Sequence, residues 1–272
     1  MSRSGAPFLT VELRDRTGSI LGRAFRDADL LAGRFERGEL VRVAGRVERF
    51  RDQLQIDVRE IARAEGADPR SFLPSAYRDL DELEGFLEHL VREVYDPSLR
   101  ALLESMLGDR ALREQIRLAP CSVPGSAGAA GRAHHAYLGG LLEHTVAVAQ
   151  MALELCLVHP RLDRDLLLSA AIVHDLGKTR EFTYGAEIER SPAGSMLGHV
   201  ELGLRLIAEH APASLSAGRR LALEHCVICH HGAEGGSAQR FASPEAIALF
   251  RLNSLDAHLK GAIEHGLGSS PR

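Results

Sequence analysis

Ile172-Val-His-Asp-Leu-Gly-Lys178 is the stretch on which the reading of this chain turns. An apolar helical run delivers His174 and Asp175 side by side and then meets Gly177. An imidazole and the carboxylate next to it can reach one divalent ion, and the second carboxylate oxygen is left over to bridge to another. A His-Asp pair alone is equally a helix end beside a solvated acid, so its meaning depends on whether the rest of the chain supplies partners.

Partners are present on several helical segments. Leu141-Leu-Glu-His-Thr-Val-Ala-Val148 places His144 on a helix with Val148 and Met151 on the same face. Further on come His199 after Gly198, then His225, His230 and His231 in Glu224-His-Cys-Val-Ile-Cys-His-His-Gly232, and Asp256 in Asn253-Ser-Leu-Asp-Ala-His258. Each sits in or at the end of an apolar helical run, the pattern by which a helical bundle gathers ligands in its interior. Cys226 and Cys229 form a Cys-x-x-Cys, but no second pair exists, and both read as small apolar residues of a buried helix face. His89, His159, His210, His258 and His265 lie in charged surroundings and read as surface residues.

A chain of 272 residues has room for two cores. The net charge of -4 argues against a surface that binds nucleic acid everywhere, yet the charge is uneven. Residues 1–65 hold 13 Arg, no Lys and 11 acidic residues, a surplus of +2, so the remainder carries -6. Four cysteines do not make a secreted disulfide framework. Met1 to Pro7 lacks the apolar core of a signal peptide, and no uninterrupted apolar run reaches the roughly 18 residues of a membrane span. A cytoplasmic protein with no membrane partner is expected.

From Phe8 to Ala62 apolar residues alternate with period two in four runs, 8–13, 19–25, 40–47 and 53–58, with turns at Asp15-Arg-Thr-Gly18 and Arg51-Asp52 and a short helix within Asp27–Phe35. The pattern predicts a small antiparallel β unit, most simply a Greek-key barrel. Gly66, Asp68-Pro69 and Pro74 then break periodicity. The expected divisions are a domain at 1–65, a linker at 66–78 and a helical domain at 79–272, with early helices over Leu80–Val94 and Ser98–Leu107. Everything downstream reads as helical except Ala119–Arg132, a small-residue loop that runs into His134-His135 and is expected to cover the site.

Leu13-Arg-Asp-Arg-Thr-Gly-Ser-Ile20, Val43-Ala-Gly-Arg-Val-Glu48 and Leu54-Gln-Ile-Asp-Val58 resemble an OB-fold of the nucleic-acid-binding kind. That fold has five strands, so either Met1–Pro7 supplies a short first strand or the first strand lies upstream. Binding of a single strand requires a basic groove with aromatic faces. The candidates are Arg14, Arg16, Arg23, Arg46, Arg49 and Arg51, with Phe25 and Phe50 as stacking platforms.

The series His144, His174-Asp175, Asp256 is similar to the HD-domain metal-dependent phosphohydrolases, and His199 with His230-His231 looks like the extra ligands of their two-metal branch. His134-His-Ala-Tyr-Leu-Gly-Gly-Leu-Leu-Glu-His144-Thr, together with the N-terminal OB-like segment, resembles the YhaM-type 3′-5′ exoribonucleases. The resemblance implies an N-terminal OB-like antiparallel β-barrel followed by an all-α HD bundle. It implies one metal on His144, His174, Asp175 and Asp256, and a second on Asp175, His199 and His230, with His231 as a further candidate. The expected cofactor is a pair of divalent ions, Mn²⁺ foremost, with Fe, Ni, Co or Zn as alternatives.

The resemblance implies that Asp175 would bridge the two ions, and Lys178 or His135 is expected to contact the phosphate or assist the leaving 3′-oxygen. The expected substrate is single-stranded RNA or DNA, cut to nucleoside 5′-monophosphates. A two-metal phosphodiesterase for small nucleotides or cyclic dinucleotides, an HD-type di-iron oxygenase and a non-catalytic binding module stay open, as does a homo-oligomeric state.

Overall fold

The computed structural model describes residues 8–125, 133–232 and 240–266. It divides into two compact units, one running to Pro74 and including Tyr184–Glu187, the other comprising 75–183 and 188–272.

In the first unit the alternating runs form β1 (Leu9–Asp15), β2 (Gly18–Ala24), β3 (Val41–Phe50) and β4 (Gln53–Arg63), with α1 (Ala28–Ala32) between β2 and β3. Asp15 closes the first turn by accepting from the Thr17 amide at 2.8 Å. Arg51 and Asp52 both take left-handed backbone angles, φ 48° and 64°, as a two-residue hairpin turn with matching twist requires. A bulge at Ala44/Gly45 breaks the β3–β4 register, and a Cβ on Gly45 would lie 2.4 Å from the Asp57 carbonyl oxygen. Ala24, Leu31, Val58 and Ile61 form the core, with Leu9, Phe35, Val41, Val43 and Ile56 packed around them.

Two features differ from the expected antiparallel barrel. Among the described residues the strand order is β1-β2-β4-β3, an open sheet with β1 and β3 at its edges, and β2 pairs with β4 in parallel. The helix-bearing crossover carries the chain past β2, and β4, returning antiparallel to β3, must run alongside β2 in the same sense. Period two specifies which residues face the core; it does not specify strand order or direction. Met1–Pro7, the candidate short first strand, lies outside the described residues.

Residues 66–78 contain a 3₁₀ turn at Pro69–Phe72, capped by the Asp68 carboxylate. The second unit is built from α2 (Leu80–Arg92), α3 (Pro97–Gly108), α4 (Arg110–Leu118), α5 (Gly140–Val158), α6 (Arg164–Val173), α7 (Lys178–Glu181), α8 (Pro192–His210), α9 (Ala217–Cys229) and α10 (Pro244–His265). Asp79, Asp96, Asp109, Asp163, Ser191, Ser216 and Ser243 cap helix starts through their side chains, each worth about 1 kcal/mol. The expectation of helix alone is corrected by a short hairpin, β5 (Phe182–Tyr184) with β6 (Ile188–Arg190), too brief to show as alternation.

The core of this unit gathers Leu83, Leu87 and Leu90 of α2, Leu99 and Leu102 of α3, Leu142, Val146 and Ala149 of α5, and Leu223 and Val227 of α9. In α6 every residue from Leu166 to Val173 is buried, the mark of a helix inside a bundle. By length and composition Gly140–Val158 could cross a membrane, and 56% of that window is buried inside the protein.

Candidate metal centre

The buried helix α6 places its C-terminal end, and therefore His174 and Asp175, in the middle of the second unit, with both side chains at most 1% exposed. The turn that follows depends on Gly177. A Cβ there would lie 1.9 Å from the His199 carbonyl oxygen and 2.5 Å from the Gly203 nitrogen, so only glycine lets α8 pack its backbone onto the turn. Within α8 the helix breaks at Gly198, φ 71° and ψ 164°, one residue before His199. Together the two glycines bring His199 to the Asp175 carboxylate.

That carboxylate divides its oxygens between two sets of imidazoles. Oδ2 lies 3.4 Å from His144 Nε2, 3.5 Å from His174 Nε2 and 2.6 Å from Lys178 Nζ. Oδ1 lies 3.4 Å from both His199 Nε2 and His230 Nε2. Burial opposes ionisation of Asp175, but the Lys178 ammonium and the surrounding imidazoles hold its carboxyl well below the usual range. Lys178 shows the converse: burial works against its charge, and the Asp175 carboxylate raises it above the usual lysine value.

The other nitrogen of each ring is occupied. His174 Nδ1 donates to the Ala171 carbonyl at 2.8 Å, His230 Nδ1 to the Val227 carbonyl and His144 Nδ1 to Asp256 Oδ2 at 2.6 Å, while His199 Nδ1 lies 3.2 Å from Glu181 Oε2. With the ring proton on Nδ1, each Nε2 presents a lone pair. Burial pushes His174 down to about 3 and lowers His230 as well, so both rings stay neutral at pH 7. His144 Nε2 and His174 Nε2 then face each other at 3.2 Å with no proton to share, and His199 Nε2 lies 2.8 Å from His231 Nε2. Asp175 Oδ1 and His230 Nε2 are buried without a hydrogen-bond partner.

Converging lone pairs of this kind are costly unless a cation satisfies them. Donors bound to one ion at about 2.1 Å are about 3.0–3.4 Å apart, close to the separations around both Asp175 oxygens. The residues therefore fit a divalent ion on each side of Asp175.

Comparison with known proteins agrees with this geometry. Residues 141–258 match the HD domain family model, and residues 1–63 match the OB-fold nucleic acid binding domain. The second unit carries an HD domain. HD domains mark a superfamily of metal-dependent hydrolases, and a preceding OB-fold is a nucleic-acid-binding module. No solved structure matches the chain.

Within the HD domain, Asp175, His199, His230 and His231 form one group of potential ligands whose donor atoms all lie within 4.8 Å of one another. Asp256 does not join His174 and Asp175. It groups with His135 and His144, its Oδ2 taking His144 Nδ1 at 2.6 Å and His135 Nε2 at 3.0 Å. There it fixes the tautomer of His144 from behind, as outer carboxylates do for metal-binding histidines. Burial opposes the charge of Asp256, but the hydrogen bonds from His135 and His144 hold its carboxyl far below the usual range.

His135 is buried in a left-handed conformation, φ 48°, which is uncommon for a residue with a Cβ. Its Nδ1 meets Tyr137 Oη at 3.0 Å and Glu143 Oε2 at 3.2 Å. Burial works against its charge, but Asp256 and Glu143 outweigh it and raise the ring above its ordinary value. Both ring nitrogens meet carboxylates, Glu143 at Nδ1 and Asp256 at Nε2, which hold the ring in place.

Glu181, Glu143 and Cys121 are functional candidates that the sequence reading passed over. Glu181, 2% exposed, lies 3.2 Å from His199 Nδ1, and its place three residues past Lys178 was the available signal. Of the expected site-covering loop, residues 119–125 are described; Cys121 is buried, its amide donating to the His135 carbonyl at 3.0 Å. Residues 126–132 lie outside the described residues. Cys226 and Cys229 are buried free thiols, and His210 is only partly exposed, hydrogen-bonding Ser105 at 3.2 Å.

In the OB-type unit, strand register puts Glu12 and Arg14 of β1, Leu21 and Arg23 of β2, Gln55 and Asp57 of β4, and Arg46, Glu48 and Phe50 of β3 on one outer face. Phe25 follows β2, half exposed and stacked on Phe8 with ring centroids 5.7 Å apart. The Phe50 ring lies under the guanidinium groups of Arg23 and Arg51, each 5.4 Å from its centroid. Arg49 falls on the opposite register face, and Arg16 and Arg51 occupy the turns.

Proposed function

We propose that this protein is a YhaM-type metal-dependent 3′-5′ exonuclease that hydrolyses single-stranded RNA, and DNA as a second substrate, to nucleoside 5′-monophosphates in the cytoplasm. The observation that carries the reading is the Asp175 carboxylate, shared between two sets of buried Nε2 lone pairs. The OB-type unit supports a polymeric substrate by offering Arg14, Arg23, Arg46, Phe25 and Phe50 as candidate contacts to backbone and bases.

The ligand set proposed is His144, His174 and Asp175 on one side, and Asp175, His199, His230 and His231 on the other, with Mn²⁺ as the leading ion. Two ions, when bound, supply Lewis acidity for attack of water on phosphorus. The protein's own groups orient and compensate charge. Lys178 keeps an ammonium at Asp175 Oδ2 and offers remaining protons to a non-bridging phosphoryl oxygen, which favours Lys178 over His135 for phosphate contact. His135 acts as a positioning residue, fixing Asp256 and through it His144.

A two-metal phosphodiesterase for small nucleotides is the second reading, favoured by Glu12, Glu48 and Asp57 among the arginines of the outer sheet face. With 5′-labelled single-stranded RNA and Mn²⁺, the first reading expects progressive shortening from the 3′ end, arrested by chelator and absent with Asp175→Ala. Intact RNA beside hydrolysis of a small phosphodiester establishes the second reading instead. A parallel DNA substrate sets the sugar preference.

A further inference from the structure

On the Oδ2 side of Asp175 the chain offers His144 Nε2, His174 Nε2 and the carboxylate oxygen, while Asp256 is turned to the far nitrogen of His144. Three protein donors leave a five- or six-coordinate ion room for a further protein ligand beside water. Among the described residues, Cys121 Sγ forms a group with a His144 nitrogen and an Asp175 oxygen, all within 4.8 Å of one another. Cys121 is 2% exposed and is held in place by backbone: its amide donates to the His135 carbonyl at 3.0 Å, and the Ser122 hydroxyl donates to the His134 carbonyl at 2.8 Å. Asp175, 1% exposed, turns Oδ2 toward His144 Nε2 at 3.4 Å on this side.

We propose that Cys121 is the fourth protein donor to the ion on the His144 and His174 side, binding as a thiolate. This rests on the two-ion reading above. The thiol proton is released to solvent as the metal–sulfur bond forms, and no redox change is involved. Lys178 Nζ, 2.6 Å from Asp175 Oδ2, supplies positive charge beside the two negative groups. The centre is then asymmetric. The side with His199 and His230 is all nitrogen and oxygen and suits Mn²⁺, whereas a sulfur donor tilts the other side toward Zn²⁺, Co²⁺ or Fe²⁺. Cys156, Cys226 and Cys229 belong to no such ligand group among the described residues.

The test is optical. The full chain, stripped with chelator, is titrated with Co²⁺ without oxygen and followed through the near-ultraviolet and visible. The expected result is visible d–d bands together with a near-ultraviolet sulfur-to-cobalt charge-transfer band. In Cys121→Ser the d–d bands remain and the charge-transfer band goes, while Cys226→Ser keeps both. In competition titrations the preference for Zn²⁺ over Mn²⁺ falls by about tenfold in Cys121→Ser. Cys121→Ala, checked for folding by circular dichroism, guards against a collapsed serine variant. Visible bands without a charge-transfer band in the unmodified protein, or a band that survives loss of Cys121, overturn the thiolate and leave the two-ion reading standing. Failure of the unmodified protein to bind Co²⁺ overturns that reading itself.

Discussion

Asp175 Oδ1 and His230 Nε2 face each other at 3.4 Å inside the HD domain, and among the described residues neither has a hydrogen-bond partner. The ring proton of His230 is spent on the Val227 carbonyl, so two acceptors meet with nothing between them. A native interior rarely tolerates such a contact unless a cation completes it. The same pairing of lone pairs recurs between His144 and His174 at 3.2 Å, on the other side of the same carboxylate.

Glu181 sets Oε2 3.2 Å from His199 Nδ1, while Arg190 lies 3.2 Å from its other oxygen. Glu181→Gln is expected to weaken one of two bound ions by about 10-fold and leave the other in place. Metal content after dialysis against graded chelator, read by elemental analysis, checks this. Equal loss of both ions would show that Glu181 serves the whole centre.

Acid should destabilise the chelated protein more steeply than an ordinary helical domain. Burial pushes His134 and His174 from 6.5 to about 3, so the unfolded chain takes up protons first and their contribution, complete above pH 6.5, drains away as pH falls toward 3. Burial opposes ionisation of Glu143, but His135 and Tyr137 outweigh it and bring the carboxyl from 4.5 to about 2; this contribution is likewise lost as pH falls through that interval. The raised value of His135 works in the other sense, its contribution fading as pH rises above the ordinary 6.5. Urea denaturation of chelated protein at a series of pH values should show stability falling from pH 6.5 to 4.5.

Gly177→Ala places a methyl group 1.9 Å from the His199 carbonyl oxygen. Since the clash is with backbone, α8 must move, and the cost should be about 1–3 kcal/mol of stability. Denaturant unfolding measures it, and metal content should fall on the His199 side. Unchanged stability would mean that α8 shifts without penalty.

On the OB-type face, Arg23→Ala should weaken single-stranded RNA binding uniformly across sequences and reduce the salt slope by about 1. Phe25→Ala, removing a half-exposed ring, should cost about 1–3 kcal/mol if a base stacks there. Fluorescence anisotropy at several salt concentrations separates the two effects. Binding unaffected by both variants would remove this face from the interface.

Much of the molecule was legible before its structure. Alternation from Phe8 to Val58 marked β1 to β4, and the apolar spacing of Leu83, Leu87 and Leu90 marked α2, because burial on one face writes its period into the chain. His144, His174, Asp175, His199 and His230 stood out as polar residues set in apolar helices. Charge count and residue type could also suggest the arginine-rich sheet.

Tertiary structure decided the rest, because the decisive quantities are distances between residues far apart in the chain. The parallel pairing of β2 with β4 follows from where a crossover lands. Whether Asp256 touches a metal or steadies His144 depends on which ring nitrogen its carboxylate meets, across 112 residues of sequence. The approach of Cys121 to His144 and Asp175 is set by a backbone hydrogen bond to His135, and no local pattern encodes it. Local periodicity named the donors; only the packing of α5, α6, α8, α9 and α10 determined which of them share a space.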